Sequence, residues 1–224
     1  MYDIVENFKR PSLELIEKYK SMQAATLHEA MNKRGAMSTD VRPAWEYPPV
    51  LCGAALTVLA RPGDNLMLHK AVSIAKPGDV LVVATGGHTE AGIWGEIITV
   101  AAMEKGITGI VTDGTVRDTV PIREIGFPMF SRGLSMKGTT KMTPGKVGVP
   151  IVVGNVLVNP GDIVFGDNDG VVVVPLEEAE TILQAAIDKE TAEATIMDRI
   201  RAGECTMDIL GFREAYNRLG LKEE

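Results

Sequence analysis

Gly78-Asp79-Val80-Leu81-Val82-Val83-Ala84-Thr85-Gly86-Gly87-His88 and, further along the chain, Gly109-Ile110-Val111-Thr112-Asp113-Gly114-Thr115-Val116-Arg117-Asp118 decide the fold class. Each stretch carries a short apolar run rich in β-branched residues. Such a run is too short for a helix and predicts a strand buried on both faces, here Asp79 to Ala84 and Gly109 to Thr112. Each run ends in a glycine-containing loop, Thr85 to Thr89 and Asp113 to Asp118. A helical pattern follows each loop: from about Ala91 to Lys105, stopped by Gly106, and from Thr119 to Ile125, ending at Gly126. Strand, loop and helix repeated in this order indicate an α/β sheet.

Upstream, Ser12 can cap a short helix through Tyr19, and Thr26-Leu27-His28-Glu29 reads as a capping box with Gly35 as a stop. Pro43, Pro48 and Pro49 exclude regular helix between Asp40 and Pro49. Ala54 to Ala60 predicts a strand, and Asp64 can cap a helix running to about Lys76. Downstream, Lys146 to Val158 and Asp162 to Pro175 are Val- and Ile-rich and broken by tight turns, which predicts short antiparallel strands. Glu177 to Ala202 predicts a long helix, and a short one follows Thr206. No linker or change of composition divides residues 1–224, so one domain is expected.

Hydrophobic residues make up 45% of the chain, enough for a sizeable core. The formal net charge is −7 and no basic stripe offsets it, which argues against a nucleic-acid partner. Cys52 and Cys205 have neither metal-ligand spacing nor a disulfide framework around them, as in a reduced cytoplasmic protein. The stretch Met1 to Glu6 has no signal-like apolar segment, and no apolar run approaches the roughly 18 residues that span a bilayer. No membrane association is expected.

The loops at the strand ends are where an open α/β sheet binds ligands. Gly86, Gly87, Gly92 and Gly95 surround a predicted helix start, where small residues let amide groups approach an anion. Asp113, Arg117 and Asp118 follow the second strand. A guanidinium beside carboxylates suits an anionic substrate that also binds a metal. A plainer reading makes Asp118 the N-cap of the next helix and Arg117 its surface ion-pair partner. The glycine loop is not a dinucleotide fingerprint, because His88 stands where that spacing requires glycine. His28, His69 and His88 match no zinc spacing, and His88 alone lies in a candidate ligand loop. There is no Gly-x-Ser-x-Gly elbow, and no lysine lies within an apolar strand to form a Schiff base. Asp167-Asn168-Asp169-Gly170 reads as a hairpin turn rather than a calcium loop.

Beyond these stretches, Arg61-Pro62-Gly63-Asp64-Asn65, Gly92-Ile93-Trp94-Gly95-Glu96, Gly126-Phe127-Pro128, Val158-Asn159-Pro160-Gly161-Asp162 and Asp169-Gly170-Val171-Val172-Val173-Val174-Pro175 complete a pattern. It resembles the 4-hydroxy-4-methyl-2-oxoglutarate / 4-carboxy-4-hydroxy-2-oxoadipate aldolase family, which shares its fold with the RraA regulators of ribonuclease E. The resemblance runs from roughly Ala24 to Gly211. It implies an α/β, RraA-like swivelling β/β/α domain, with mixed sheets flanked by helices, assembled as a homotrimer or homohexamer. It implies that Asp118 binds a divalent cation, Mg2+ or Mn2+, directly, with Glu96 and Glu193 acting through water. Arg117 would bind substrate, and the amides of Gly95, Glu96, Ile97 and Ile98 would hold the pyruvyl carboxylate. Glu96 stands where many relatives have aspartate, and Ala84 where some have aspartate. Glu193, on the C-terminal helix, would reach a neighbour's site.

The implied chemistry is cleavage of a carbon–carbon bond in a small 2-oxo acid, with release of pyruvate. A chelated cation stabilises the enolate as a Lewis acid, and Arg117 adds a fixed positive charge. Arginine stays protonated and cannot be the base, so a cation-bound water is the better proton carrier. Oxaloacetate decarboxylation passes through the same enolate. The competing reading is a non-catalytic RraA-like regulator that binds ribonuclease E or another protein. A methyltransferase is disfavoured, because no Gly-x-Gly cofactor loop is present.

Overall fold

Asp79–Ala84 and Gly109–Thr112 are strands buried along their whole length, with the bounds their apolar runs predict. The computed structural model describes residues 3–221, so the first two residues of the Met1 to Glu6 stretch lie outside it. In chain order the elements are α1 (Leu13–Tyr19), α2 (Ala24–Ala30), β1 (Arg42–Pro43), β2 (Leu51–Leu59), α3 (Leu66–Ile74), β3 (Asp79–Ala84), β4 (Gly92–Trp94), α4 (Glu96–Glu104), β5 (Gly109–Thr112), β6 (Thr115–Val116) and α5 (Thr119–Ile125). Then come β7 (Met129–Ser131), β8 (Gly133–Leu134), β9 (Lys146–Val147), β10 (Ile151–Val153), β11 (Val156–Val158), β12 (Ile163–Asp167), β13 (Gly170–Val174), α6 (Ala179–Arg201), α7 (Thr206–Ile209) and α8 (Phe212–Arg218).

The main sheet is mixed, in the order β1-β7-β5-β3-β2-β12-β13, with β9 also pairing β2. Strands β2, β3, β5 and β7 run parallel. The Val-rich β12 and β13 are antiparallel, as predicted. β1 lies against β13, so the sheet nearly closes on itself. The alternation of β3 links two cores. Leu81 and Val83 pack with Trp94, Ile98, Ile122 and Phe127 beneath α3, α4 and α5. Val80 and Val82 pack with Val111, Phe130 and the hairpin residues Ile151 and Val153. A third core sets α1, α2 and α6 on β12 and β13 through Tyr19, Leu27, Phe165 and Leu183. Each fully buried aliphatic side chain contributes roughly 1.5–3 kcal/mol, so these cores carry the fold. Both cysteines are free thiols, Cys52 buried and Cys205 exposed. No helix among the described residues is long and apolar enough to cross a membrane.

Two helix starts differ from the sequence reading. Helix α2 begins at Ala24 and its Gln23 makes no side-chain cap, so Thr26 is interior and the capping box does not form. The donor is satisfied from afar instead: Ala24 N–H donates to Asp167 Oδ2 at 2.8 Å. Helix α4 begins at Glu96 rather than Ala91, because Gly92–Trp94 is captured as a strand. It pairs with β6, and β6 pairs with β8, giving a small three-stranded parallel sheet beyond the ends of the main strands. Part of the expected Asp113–Asp118 loop is thereby a strand.

Asp64 ties this end of the molecule together. Burial alone would raise its carboxyl, but Leu66 N–H, Met142 N–H, Thr140 Oγ1 and Thr143 N–H all donate to it, and it is held down at about 2. The folded value lies below the unfolded value of about 3.9, so the stabilisation is complete above about pH 4 and is lost as pH falls towards 2. Urea unfolding of wild type and Asp64→Asn is expected to differ by roughly 2–3 kcal/mol at pH 7. The difference should shrink as pH falls from 4 to 2. A gap that is the same at pH 2 and pH 7 would contradict this role.

Candidate active site

The loops after β3 and β5 serve different ends. Asp113 accepts from Thr85 N–H at 2.6 Å, Thr85 Oγ1 at 2.8 Å and Gly87 N–H at 3.0 Å. It staples the glycine loop, so the Gly87 amide is turned to this chain's own carboxylate. A cavity of about 290 Å³ opens beside Gly86, Gly87 and Asp113 and is bordered by the Arg132–Asp40 ion pair. Arg117 and Asp118 do not line it.

Arg117 and Asp118 instead follow the small sheet. Asp118 precedes α5 with a left-handed backbone, φ +58°, and its side chain makes no cap bond to that helix. This removes the plain N-cap reading. Its Oδ2 accepts from Glu96 N–H at 3.0 Å, at the start of the neighbouring α4. A non-glycine residue in the left-handed region stores strain that the surroundings must hold, and such strain gathers at functional sites. Arg117 Nε lies 3.7 Å from Asp118 Oδ2, too far for a hydrogen bond. That Nε is buried and has no hydrogen-bond acceptor, although both side chains are about two-fifths exposed. The exposed ion-pair reading accounts for the exposure but not for the orphaned donor.

Gly95 forms the floor beneath the pair. A Cβ there would overlap Asp118 Oδ2 and stand 3.0 Å from Arg117 Nε. Its own backbone is extended, so closeness rather than conformation requires glycine. The structure thus brings Gly95, Glu96, Arg117 and Asp118 together. Glu96 offers its amide to Asp118, and Ile97 and Ile98 supply the next amides of the first turn of α4, which have no intrahelical acceptor. The Ile97 side chain is 86% exposed beside the pair, and Val120 on α5 is 68% exposed. Glu193 is not brought to the site within the chain. It pairs with Lys189 on α6, which also holds Glu29 of α2. His88 lies elsewhere, with Nε2 against Gly63. Trp94 and Thr99, which hold Gly95 in place, escaped the sequence reading. Only their spacing, side by side with the glycine at a helix start, could have drawn attention to them.

Among the described residues no three His, Cys, Asp or Glu side chains form a metal cluster. A hard cation that keeps most of its waters needs only one or two carboxylates plus substrate oxygens. Asp118 can provide one. The glycine floor leaves it room, and the Arg117 guanidinium beside it supplies a positive charge for an anionic group. These residues fit a Mg2+- or Mn2+-type ion.

Comparison with known proteins gives the family. Residues 24–173 match the model of the RraA-like family, described as Aldolase/RraA. A protein of Halalkalibacterium halodurans, provisionally named a 4-hydroxy-4-methyl-2-oxoglutarate aldolase, is 34% identical over 85% of this chain and 92% of its own. The structure of Streptomyces coelicolor RraAS2, described as an unusual member of the RNase ES inhibitor RraA family, is 30% identical with a TM-score of 0.76 over 85% of this chain and 99% of its own. RraA from Thermus thermophilis, described as an RNA-processing inhibitor, is 27% identical with a TM-score of 0.63 over 68% of this chain and 92% of its own. The family match over residues 24–173 and the 34% identical relative show that the chain belongs to the RraA-like family.

Proposed function

We propose that the protein is a divalent-cation-dependent carbon–carbon lyase. It cleaves 4-hydroxy-4-methyl-2-oxoglutarate or 4-carboxy-4-hydroxy-2-oxoadipate to release pyruvate, and it decarboxylates oxaloacetate at the same site. The observation that carries this reading is Arg117 and Asp118 fitted over Gly95 at the start of α4, with the Arg117 Nε buried and lacking an acceptor. The kinship with a provisionally named aldolase supports it.

Asp118 would hold Mg2+ or Mn2+, and Glu96 and Glu193 would act through water. When bound, the cation supplies Lewis-acid polarisation of the 2-oxo group. The amides of Gly95, Glu96, Ile97 and Ile98 would hold the substrate carboxylate, those that do not donate within the chain gripping it with the α4 dipole. Arg117 donates to the oxygen on which negative charge develops and stays protonated throughout. In the aldol substrates the C3–C4 bond breaks as the 4-hydroxyl loses its proton, and the pyruvyl fragment keeps the electron pair and is then protonated. Loss of CO2 from oxaloacetate leaves the same fragment. The net charge of −7 argues against nucleic acid as a partner.

The competing reading, a regulator that binds ribonuclease E or another protein, has the likeness to the RraA structures behind it. It needs an exposed surface but no glycine floor under a carboxylate. Incubating the protein with 4-carboxy-4-hydroxy-2-oxoadipate and with oxaloacetate in Mg2+ separates the two. Pyruvate release supports the lyase, and its absence with both substrates contradicts it.

Assembly belongs to the same proposal. The site is open, with Ile97 and Val120 exposed beside it and Glu193 remote within the chain. A homotrimer or homohexamer would cover the apolar side chains and bring Glu193 to a neighbouring site. Light scattering is expected to show a trimer or a dimer of trimers. A fully active monomer would contradict this.

A further inference from the structure

Behind the site runs a chain of hydrogen bonds that no charged residue enters until its end. Trp94 Nε1 donates to Thr99 Oγ1 at 2.7 Å, and Thr99 Oγ1 donates to Gly95 O at 2.9 Å. Trp94 and Thr99 are fully buried. Chemistry fixes the direction: an indole N–H can only donate, so the single hydroxyl proton goes to the carbonyl. Gly95 O, which also accepts the Thr99 backbone N–H at 3.1 Å, belongs to the peptide whose other end is Glu96 N–H, and that N–H donates to Asp118 Oδ2 at 3.0 Å. A peptide group is planar, so holding its oxygen aims its N–H.

A helical threonine often bonds the carbonyl four residues back, and a buried indole usually finds an acceptor. Here, however, both branches from Trp94 lead to the site. Trp94 O accepts Arg117 N–H at 2.9 Å, which fixes the backbone that carries the guanidinium. The indole ring is stacked on Phe127, and Asn65 Nδ2 holds the preceding carbonyl, Ile93 O, at 3.1 Å. The strand that delivers Gly95 is therefore anchored on three sides. The Asp118 side chain, by contrast, makes no cap bond to its own helix. The Glu96 N–H is the hydrogen bond that orients its carboxylate.

We infer that Thr99 is a positioning residue: through the Gly95–Glu96 peptide it sets the orientation of the Asp118 carboxylate. That this carboxylate holds a cation rests on the function proposed above. Groups that orient a metal ligand typically cost 10–100-fold in metal affinity when removed.

Thr99→Val keeps the shape and removes the hydroxyl, whereas Thr99→Ser keeps the hydroxyl. Both are made in the whole protein and read in two ways. The Glu96 amide proton is followed by NMR in the absence of metal, and Mn2+ binding, with Mn2+ alone as the probe, is followed by electron paramagnetic resonance. In Thr99→Val the Glu96 amide resonance is expected to move and its exchange with solvent to quicken, while Mn2+ affinity falls roughly tenfold. Thr99→Ser should retain both properties, which separates a lost hydroxyl from general loosening of a buried position. A Glu96 amide and an Mn2+ affinity unchanged in Thr99→Val would overturn the inference. If wild type binds no Mn2+, the cation reading fails, and the Glu96 amide still decides the relay.

Discussion

Gly95→Ala is expected to lower pyruvate release by about two orders of magnitude or more while leaving the protein folded. A misplacement of about 1 Å at a reacting centre can cost about 100-fold, and the new Cβ would displace both Asp118 Oδ2 and Arg117 Nε. The alanine itself is not strained, because Gly95 has φ −152°, an extended conformation open to any residue. Melting temperature and turnover measured together test this. Near-normal turnover in a folded Gly95→Ala protein would show that the pair above it does not do the chemistry.

The second large effect separates the roles of Arg117 and Asp118. Asn tolerates the left-handed backbone at φ +58° and can still accept from Glu96 N–H, so Asp118→Asn preserves the geometry and removes the charge. Metal affinity should fall, and excess Mg2+ or Mn2+ should restore part of the rate. Arg117→Lys keeps a positive charge but loses the planar fork and the buried Nε. It should leave metal affinity near normal and reduce turnover by roughly 2–4 kcal/mol of transition-state stabilisation. Normal turnover in both variants would remove the pair from the active site. A loss confined to stability, of about 1 kcal/mol, would restore the helix-cap reading.

The main strands were legible because burial on both faces writes a continuous apolar run, as in Asp79–Ala84 and Gly109–Thr112. Helix α5 was legible for a similar local reason, since Gly126 closes it in the left-handed conformation expected of a C-terminal glycine. What failed was tertiary in origin. Gly92–Trp94 reads as the first turn of a helix until its partner Thr115–Val116 is known. Thr26 reads as a cap until Asp167 supplies the acceptor from the far end of the chain. The neighbours Arg117 and Asp118 stood out as a motif, but their relation to Gly95 did not, because a distance across 22 residues is invisible in sequence. Nor did anything local show that Asp113, after β5, is spent on the glycine loop that follows β3.

The claim at the centre is that Asp118 holds a cation on which pyruvate release depends. The most direct measurement is the rate of pyruvate release from oxaloacetate and from 4-carboxy-4-hydroxy-2-oxoadipate in EDTA, followed by titration with Mg2+ or Mn2+. The prediction is no release above the uncatalysed rate in chelator, and recovery with both substrates as either ion is added back. Full activity in chelator would contradict it.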